Sequence, residues 1–361
     1  MHPKVSIIIL NWNGWKDTIE CLESVYQITY PNYDVILIDN GSEDESIEKI
    51  KEYCEGKIKV NSKFFEYSIL NKPINFIEYN REEAEAGGGK EEEIADLPSN
   101  RKLILIKNEK NYGFAEGNNI GMRYAMKILN PDYILLLNND TVVEKKFLDE
   151  LIKVAESDEK IGVVGPKIYY YDESKKIQFA GGKINWLRGE TKEIGRDKIE
   201  ENQYNKIKEV DYVTGCAFLM RRELVEQIGF FDPIYFLYFE ETDFCVRCKK
   251  KRFKLIYIPT SKIWHKIAQS TGGEFSPIMA YYFVRNRYIF MKKHGRKNII
   301  KWSMFLLSYH IWIFQIIWKN LEKRDVVRSI IKGYRDALFR NSFYYSVCSF
   351  CYFFPIIFFL G

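Results

Sequence analysis

Three groups of polar residues in this chain stand where apolar runs stop, and their side chains suit a charged, hydroxyl-rich ligand. Asn11 follows the run 5–10, Asp39-Asn40-Gly41-Ser42 follows 35–38, and Asn138-Asn139-Asp140 follows 133–137. A lone Asp after a strand is ordinarily a turn former or a helix cap. Three such ends converging on one rim make a site, because open α/β sheets bind ligands beyond the carboxyl ends of their strands. Asp39 there suits ribose or base hydroxyls, and Asp140 suits a divalent cation. A second constellation, Phe239-Glu240-Glu241-Thr242-Asp243-Phe244, sets three acids in four residues between aromatics, after the apolar stretch 230–238. Carboxyls in apolar surroundings titrate high and serve as bases near neutral pH. The alternative is an acidic first turn favourable to the dipole of the following helix, which suits Asp243 better than Glu241. His265, one of only four histidines, ends an apolar run; a lone His is ordinarily a structural hydrogen-bonding residue.

The elements that must position these groups follow from periodicity. Residues 5–10 and 35–39 are short apolar runs of the kind that form buried parallel strands. Helical patterns follow each, over about 15–28 and 43–53. Residues 103–106 and 133–137 predict two further strands, with a helix between them opened by Asn111-Tyr112-Gly113-Phe114-Ala115. This order predicts a mostly parallel sheet with right-handed crossovers. Gly113 and Gly117 permit close backbone approach where that helix begins, although no Walker-type Gly-Lys-Ser/Thr follows. The stretch 55–101 interrupts the pattern. Its acidic part, 78–96, holds eight acids, two bases and a triple glycine, which predicts a solvated, mobile insertion dispensable for the fold. Residues 212–220 are strand-like and 241–250 helical.

Hydrophobic residues make up 46% of the 361, which excludes disorder and, with 29% charged residues, a multi-span transporter. The charge is uneven: residues 297–361 sum to +6 and the rest to −1. A basic tail on a neutral body is not the footprint of a nucleic-acid-binding domain and predicts no nucleic-acid partner. Two stretches in that tail, 302–318 and 342–361, lack Lys, Arg, Asp and Glu. Cationic segments beside apolar ones are drawn to anionic lipid, so a membrane-associating tail is expected, the first stretch in the interface and the second dipping into or across the bilayer. The alternative is a helical pair packed on the body. Seven cysteines, an odd number, argue for a reducing compartment, and no signal peptide is read at the N-terminus. The pairs Cys245/Cys248 and Cys348/Cys351 lack a zinc or thioredoxin-like context and read as ordinary thiols.

Four motifs, in order, resemble the family 2 glycosyltransferases, with the rhamnosyltransferase-like branch nearest. They are Val5-Ser6-Ile7-Ile8-Ile9-Leu10-Asn11-Trp12-Asn13, Ile38-Asp39-Asn40-Gly41-Ser42, Asn111-Tyr112-Gly113-Phe114-Ala115-Glu116-Gly117-Asn118-Asn119-Ile120-Gly121 and Leu136-Leu137-Asn138-Asn139-Asp140-Thr141. The resemblance covers about residues 5–294 apart from the insertion. It implies a GT-A fold: a Rossmann-like, mostly parallel sheet flanked by helices, here with a C-terminal hydrophobic helical tail. On that basis residues 1–130 form the nucleotide-sugar-binding half, 131–296 the metal and acceptor half, and 297–361 the tail.

The resemblance further implies a nucleotide-diphosphate sugar donor, inversion at the anomeric carbon, and a lipid-linked or glycan acceptor met at the cytoplasmic face of the cell membrane. Asn11, Asp39, Asn111, Gly113, Asn118, Asn138 and Asn139 would line the donor site. Asn138-Asn139-Asp140 stands where the family has its Asp-x-Asp motif, so Asp140 would ligate Mg2+ or Mn2+, and His265 would supply what Asn138 does not. Phe239 to Asp243 resembles the family's Glu-Asp-x-Asp motif. Glu241, where the family has Asp, would deprotonate the acceptor hydroxyl, with Glu240 and Asp243 orienting the helix or the acceptor. Gly215, in Tyr212-Val213-Thr214-Gly215-Cys216-Ala217, would let the acceptor approach the backbone, and Arg285 or Arg287 would reach a phosphate or lie at the surface.

Two other readings compete. A nucleotidyltransferase would want a Gly-rich, Lys/Arg-bearing loop after the first strand, where this chain has Asn11-Trp12-Asn13-Gly14-Trp15. A noncatalytic membrane-bound glycan or sugar-nucleotide binding protein would have no use for Asp39, Asp140, Glu241 and His265 together.

Overall fold

A computed structural model describes residues 2–266 and 275–339. The first part alternates strands and helices: β1 Val5–Asn11, α1 Trp15–Val25, β2 Tyr33–Asp39, α2 Ser46–Cys54, β3 Asn75–Asn80, α3 Arg81–Ala86, β4 Lys102–Lys107, α4 Gly113–Tyr124 and β5 Tyr133–Asn138. Then come β6 Thr141–Val143, α5 Phe147–Ala155, β7 Ile161–Tyr170, β8 Lys176–Phe179, β9 Gly182–Asn185, β10 Glu190–Glu193, β11 Lys198–Ile199 and β12 Lys208–Glu209. They are followed by β13 Ala217–Arg221, α6 Arg222–Ile228, α7 Glu240–Lys250 and β14 Lys254–His265. Three helices close the described chain: α8 Pro277–His294, α9 Ile299–Lys319 and α10 Arg324–Phe339.

The apolar runs become the centre of one sheet, ordered β11-β8-β7-β13-β5-β1-β2-β4-β3, with β14 alongside β7. β1 pairs in parallel with both β2 and β5, and the register sets Asn11 opposite Asp39 and Leu10 opposite Asn138. The chain leaves β1 toward β2 and returns to its other side only at β5. That reversal opens the ligand crevice of a doubly wound sheet at these strand ends. β13 runs antiparallel between β5 and β7, so both halves of the chain share one sheet and one core. α4 lies close on the sheet because its glycines are small: a Cβ on Gly117 or Gly121 would stand 2.8 Å from Leu10 or Ile8.

The structure corrects the expected insertion. Residues 75–80 form β3, an edge strand parallel to β4, with Ile77 and Tyr79 inward. Glu78 on the outer face pairs with Lys51 and Lys107, each at 2.6 Å. Glu91 accepts the hydroxyls of Tyr79 and Tyr124 at 2.9 and 2.5 Å, and Ile94 is buried. Upstream, Lys72 forms a buried ion pair with Glu23 of α1 at 2.9 Å, and the Tyr53 hydroxyl donates to the same carboxylate. The acidic stretch is thus half-embedded, its exposed acids standing over a packed inner layer. The strand expected over 212–220 is also shorter: only Ala217–Arg221 pairs as a strand, and Gly215 lies in the turn before it.

In the tail, α9 turns Phe305, Tyr309, Ile313 and Ile316 into a second apolar core shared with α8 and α10. Among the described residues, α9 is the one helix long and apolar enough to cross a membrane by length and composition. The second apolar stretch, 342–361, and Cys348/Cys351 lie outside the described residues.

Candidate functional site

The rim at the ends of β1, β2 and β5 is knitted by side chains. Asn11 donates to Asp39 at 2.8 Å and to Ser42 at 3.1 Å, while the Ser42 hydroxyl and backbone N–H both donate to Asp39. Thr18 donates to Asn11 at 2.8 Å and receives Asn139 at 3.0 Å. Asn11, Asp39 and Asn139 therefore form one network across three strand ends. Gly41 is needed where it stands: its φ is +72°, and a Cβ would lie 2.5 Å from the backbone of Lys110.

Asn111, Gly113 and Asn118 lie behind this rim. Asn111 accepts the Gly113 N–H at 2.7 Å and an Asn40 amide hydrogen at 3.0 Å. Gly113 has φ +79° because the ring and carbonyl of Phe236 close over it, within 2.6 Å of where a Cβ would be. The Phe236 carbonyl also accepts the Phe114 and Ala115 N–H groups at 2.6 and 3.2 Å. The N-terminus of α4 is thus capped by the Phe236 carbonyl, with the Phe236 ring over Gly113. Asn118 is buried and donates to the Phe114 carbonyl one turn back. All three residues position the neighbouring loop.

Asp140 and His265 meet. β14 ends beside β6, with His265 in register with Thr141, and His265 Nε2 stands 3.2 Å from Asp140 Oδ1. The opposite ring nitrogen, Nδ1, is 2.8 Å from Gln178 Oε1 on β8. Because an amide oxygen only accepts, Nδ1 carries a hydrogen and Nε2 is left facing the carboxylate. Burial depresses the His265 pKa, but Asp140 and Cys216 more than reverse this and hold it well above the usual imidazole range. Asn138 Oδ1 is buried without a hydrogen-bond partner, and Asp140 Oδ1 is buried with only the His265 imidazole facing it. An amide oxygen, a carboxylate and an imidazole nitrogen with second-sphere support fit Mg2+ or Mn2+. Such ions take one or two protein ligands and complete their shell from a diphosphate and water. Among the described residues no cluster of three or more His, Cys, Asp or Glu forms a closed metal cage.

Glu241 opens the other side of the crevice. A Cβ built on Gly215 would stand 3.8 Å from Glu241 Cβ and 3.3 Å from the Phe114 ring, so the turn before β13 lies directly against this acid. Burial raises the Glu241 carboxyl to about 7, with a further push from Glu193 of β10 against nearby backbone N–H groups. Glu193 is itself raised by burial, and Arg196 opposes this with a hydrogen bond of 2.6 Å. The turn before β13 joins the two sides: Gly215 lies against Glu241, and the carbonyl of the next residue, Cys216, accepts the Asn138 N–H at 2.9 Å. Glu240 is buried, one of its carboxyl oxygens has no partner, and burial followed by Glu241 pushes its pKa well up. The pair sits at the start of α7, where the helix dipole favours carboxylates.

Asp243, two residues on, belongs elsewhere. Fully buried, it is held by Arg247, Lys293, His294 and the Tyr235 hydroxyl at 2.7–3.2 Å. Burial alone would raise its pKa, but the His294 hydrogen bond and the charges of Arg247 and Lys293 hold it well below the usual carboxylate range. It anchors α7 to α8, which is the orienting role expected of it and gives it no place in the crevice.

The loop before α7 is strained. Phe236, Tyr238 and Phe239 all have φ between +63° and +75°. Bulky residues persist there only when their surroundings over-determine them. One side chain supplies most of that constraint: the Asn286 amide of α8 donates to the carbonyls of Tyr235, Leu237 and Tyr238 at 2.8–2.9 Å. Arg285 donates to the Ile234 and Tyr235 carbonyls, and Tyr282 stacks on Phe236 at 4.9 Å. Arg287 is buried, bound to the Arg188 carbonyl and Glu190. Arg287 is thus committed to protein partners, and the half-buried Arg285 is engaged by the loop carbonyls. Gln178 and Glu193 carry no motif signal and come to the site through the fold, whereas Cys216 and Asn286 lie within segments that fit the family pattern but stand there without an expected role.

Comparison with known proteins adds a family frame. A profile described as "Glycosyltransferase like family 2" matches residues 91–277, and one described as "Glycosyl transferase family 2" matches residues 6–68. The chain is similar to the low-salt glycan biosynthesis hexosyltransferase Agl10 of Haloferax volcanii, 23% identical over 64% of this chain and 74% of that one. It is also similar to the dTDP-rhamnosyl transferase RfbF of Shigella flexneri, 25% identical over 64% and 73%. The N-acetylglucosaminyl-diphospho-decaprenol L-rhamnosyltransferase of Mycobacterium tuberculosis is 25% identical over 44% and 55%. Among solved structures, a mannosyltransferase from Pyrobaculum calidifontis in complex with GDP-Man and Mn2+ superposes with a TM-score of 0.54, covering 94% of this chain and 88% of that one at 11% identity.

Proposed function

The chain belongs to the family 2 glycosyltransferases, in their rhamnosyltransferase-like branch and with their GT-A fold, and from that premise we propose that it moves a sugar, with inversion, from a nucleoside-diphosphate donor to a hydroxyl of a lipid-linked or polysaccharide acceptor. The observation that carries this reading is Glu241: a carboxyl poised at about 7 in a crevice whose other wall holds Asp140 and His265. A base of that pKa is half ionised at neutral pH and accepts a proton efficiently. Glu241 takes the acceptor hydroxyl's proton, the acceptor oxygen bonds the anomeric carbon, and the bond from that carbon to the diphosphate oxygen breaks. One base and one displacement give inversion.

Asn11, Asp39 and Asn139 form the donor rim, with Asp39 turned to the nucleoside hydroxyls. Asp140 and His265 are the residues that would hold Mg2+ or Mn2+, with the unpartnered Asn138 Oδ1 two residues before Asp140. An ion held there would neutralise charge on the departing nucleoside diphosphate. The Mn2+ in the complex of the mannosyltransferase neighbour supports this choice of ion, and the name of the mycobacterial relative supports a lipid-diphosphate acceptor. Gly215 leaves room for the acceptor beside Glu241, and Glu193 repels the ionised base and so keeps it basic. Membrane association at the cytoplasmic face completes the reading. The test is nucleotide release from a panel of sugar nucleotides, with and without Mn2+, in the parent chain and in Glu241→Gln.

A further inference from the structure

α9 presents two apolar faces, and only one of them is covered. Phe305, Tyr309, Ile313 and Ile316 face the second core. On the opposite side Ile300, Met304, Leu307, Ile311, Phe314 and Trp318 are exposed, Leu307, Phe314 and Trp318 to about two thirds. Their spacing of four, three, four, three and four residues confines them to a stripe about 80° wide at 3.6 residues per turn. We infer that this stripe is a docking face for an anionic bilayer, on which α9 lies flat.

Charge selects the occupant. Lys301 and Lys319 flank the stripe, and Lys323, Arg324, Arg328, Lys332 and Arg335 are exposed beyond it, against the exposed acids Glu322 and Asp325. Basic groups around an inserted apolar strip are what an anionic interface attracts. Packing selects the orientation. The covered face of α9 lies against α8, which carries Arg285, Arg287, Lys292 and Lys293, and against the β9–β10 turn, where Ser308 donates to the Leu187 carbonyl and Phe305 packs on Gly189. A spanning α9 would draw those charges and that hairpin into hydrocarbon, whereas a flat one immerses the stripe alone. The same hairpin ends in Glu193, paired with Gly182, which bridges Tyr212 in the segment that carries Gly215 to Glu241. Docking through α9 therefore sets the acceptor side of the crevice next to the bilayer, the approach a lipid-borne acceptor requires. This consequence rests on the proposed function; the docking itself does not.

The test is flotation of the full chain with vesicles of phosphatidylcholine and phosphatidylglycerol in a three-to-one mixture, and with phosphatidylcholine alone. Leu307→Glu with Phe314→Glu lowers partition at least about tenfold on both. Lys332→Glu with Arg335→Glu lowers it on the anionic vesicles alone. An environment-sensitive fluorophore on Leu307→Cys, read against the parent chain labelled in parallel, shifts to the blue when vesicles are added. Unchanged partition of the stripe variant overturns the inference, since residues 342–361 would then suffice as anchor. A stripe variant that turns a dimer into a monomer while its partition holds also overturns it, because the face would then belong to a second copy. Absence of the blue shift overturns it even where the Glu variants fail to fold. Nucleotide release from donor, measured without vesicles, stays at the parent level in both variants. A parent chain that floats as described but releases no nucleotide counts against the catalytic reading alone.

Discussion

His265 Nε2 and Asp140 Oδ1 face each other 3.2 Å apart, from the end of β14 and the turn after β5, 125 positions apart in the chain. Gln178 holds the far side of the imidazole and leaves Nε2 turned to the carboxylate. If these atoms share a divalent ion with the donor diphosphate, Asp140→Asn abolishes the Mn2+ dependence of donor binding. Calorimetric titration of the sugar nucleotide with and without Mn2+ reads this directly. His265→Ala weakens the same dependence, and Gln178→Leu lowers metal affinity by about 10- to 100-fold through loss of the second-sphere contact. Unaltered Mn2+-dependent binding in Asp140→Asn would contradict the assignment.

Asn286 is expected to govern catalysis without touching substrate. Its amide holds three carbonyls of the positive-φ loop that delivers Glu241. Asn286→Ala leaves those carbonyls short of donors and costs about 2 kcal/mol of stability. In a thermal melt the midpoint falls, and in a transfer assay kcat falls more than donor affinity. A drop in donor affinity with kcat intact would move Asn286 into the donor site.

Asp243 separates structure from chemistry two residues from the base. Asp243→Asn leaves Arg247, Lys293 and His294 facing a neutral partner and costs about 3 kcal/mol. The contribution has a pH sign. Burial works against the carboxylate, but the hydrogen bond from His294 and the charges of Arg247 and Lys293 outweigh it and depress the folded-state pKa, so the stabilisation is complete above the unfolded value of about 3.9 and fades as pH falls below it. The difference in unfolding free energy between parent and variant is therefore largest near neutral pH and shrinks on acidification. Folded Asp243→Asn keeps its transfer activity; a stable but inactive variant would return this residue to the active site.

Much of the frame is legible in the sequence because buried parallel strands are continuous apolar runs. β1, β2, β4 and β5, with Asn11, Asp39 and Asp140 at or beside their ends, follow from that alone. β3 was obscured because an edge strand buries only one face: Ile77 and Tyr79 point in while Glu78 and Asn80 point out, inside a segment dominated by acids. Glu241 and His265 stand out by type and setting, whereas Gln178, Glu193 and Asn286 gain their partners only through the fold. Gln178 is 87 residues from His265, and Asn286 is 48–51 residues from the carbonyls it holds. Gly113 and Asn118 illustrate the converse: their motif is plain in the sequence, but its physical purpose is the docking of Phe236.

The acidic stretch gives a further expectation. Deleting residues 75–96 removes β3 and the Glu91 contacts to Tyr79 and Tyr124, uncovering β4 as a new edge. Urea unfolding shows a large loss of stability, and light scattering shows association through the exposed strand. Glu91→Ala alone removes the acceptor of two tyrosine hydroxyls, Tyr79 retaining the Lys90 N–H, and costs about 2 kcal/mol. An unchanged melting midpoint after the deletion would restore the view of a dispensable insertion.

Glu241 as the base is tested by the pH dependence of transfer in the parent chain and in Glu241→Gln at saturating donor and Mn2+. The carboxyl sits at about 7 because burial disfavours its charge. Only the ionised form accepts a proton, so the parent rate rises with pH through about 7 and then levels. Glu241→Gln keeps donor affinity, loses roughly 10²–10⁴-fold in rate and loses that rise. A Gln variant that transfers at near-parental rate with the same rise intact would contradict the account and move the base to another group.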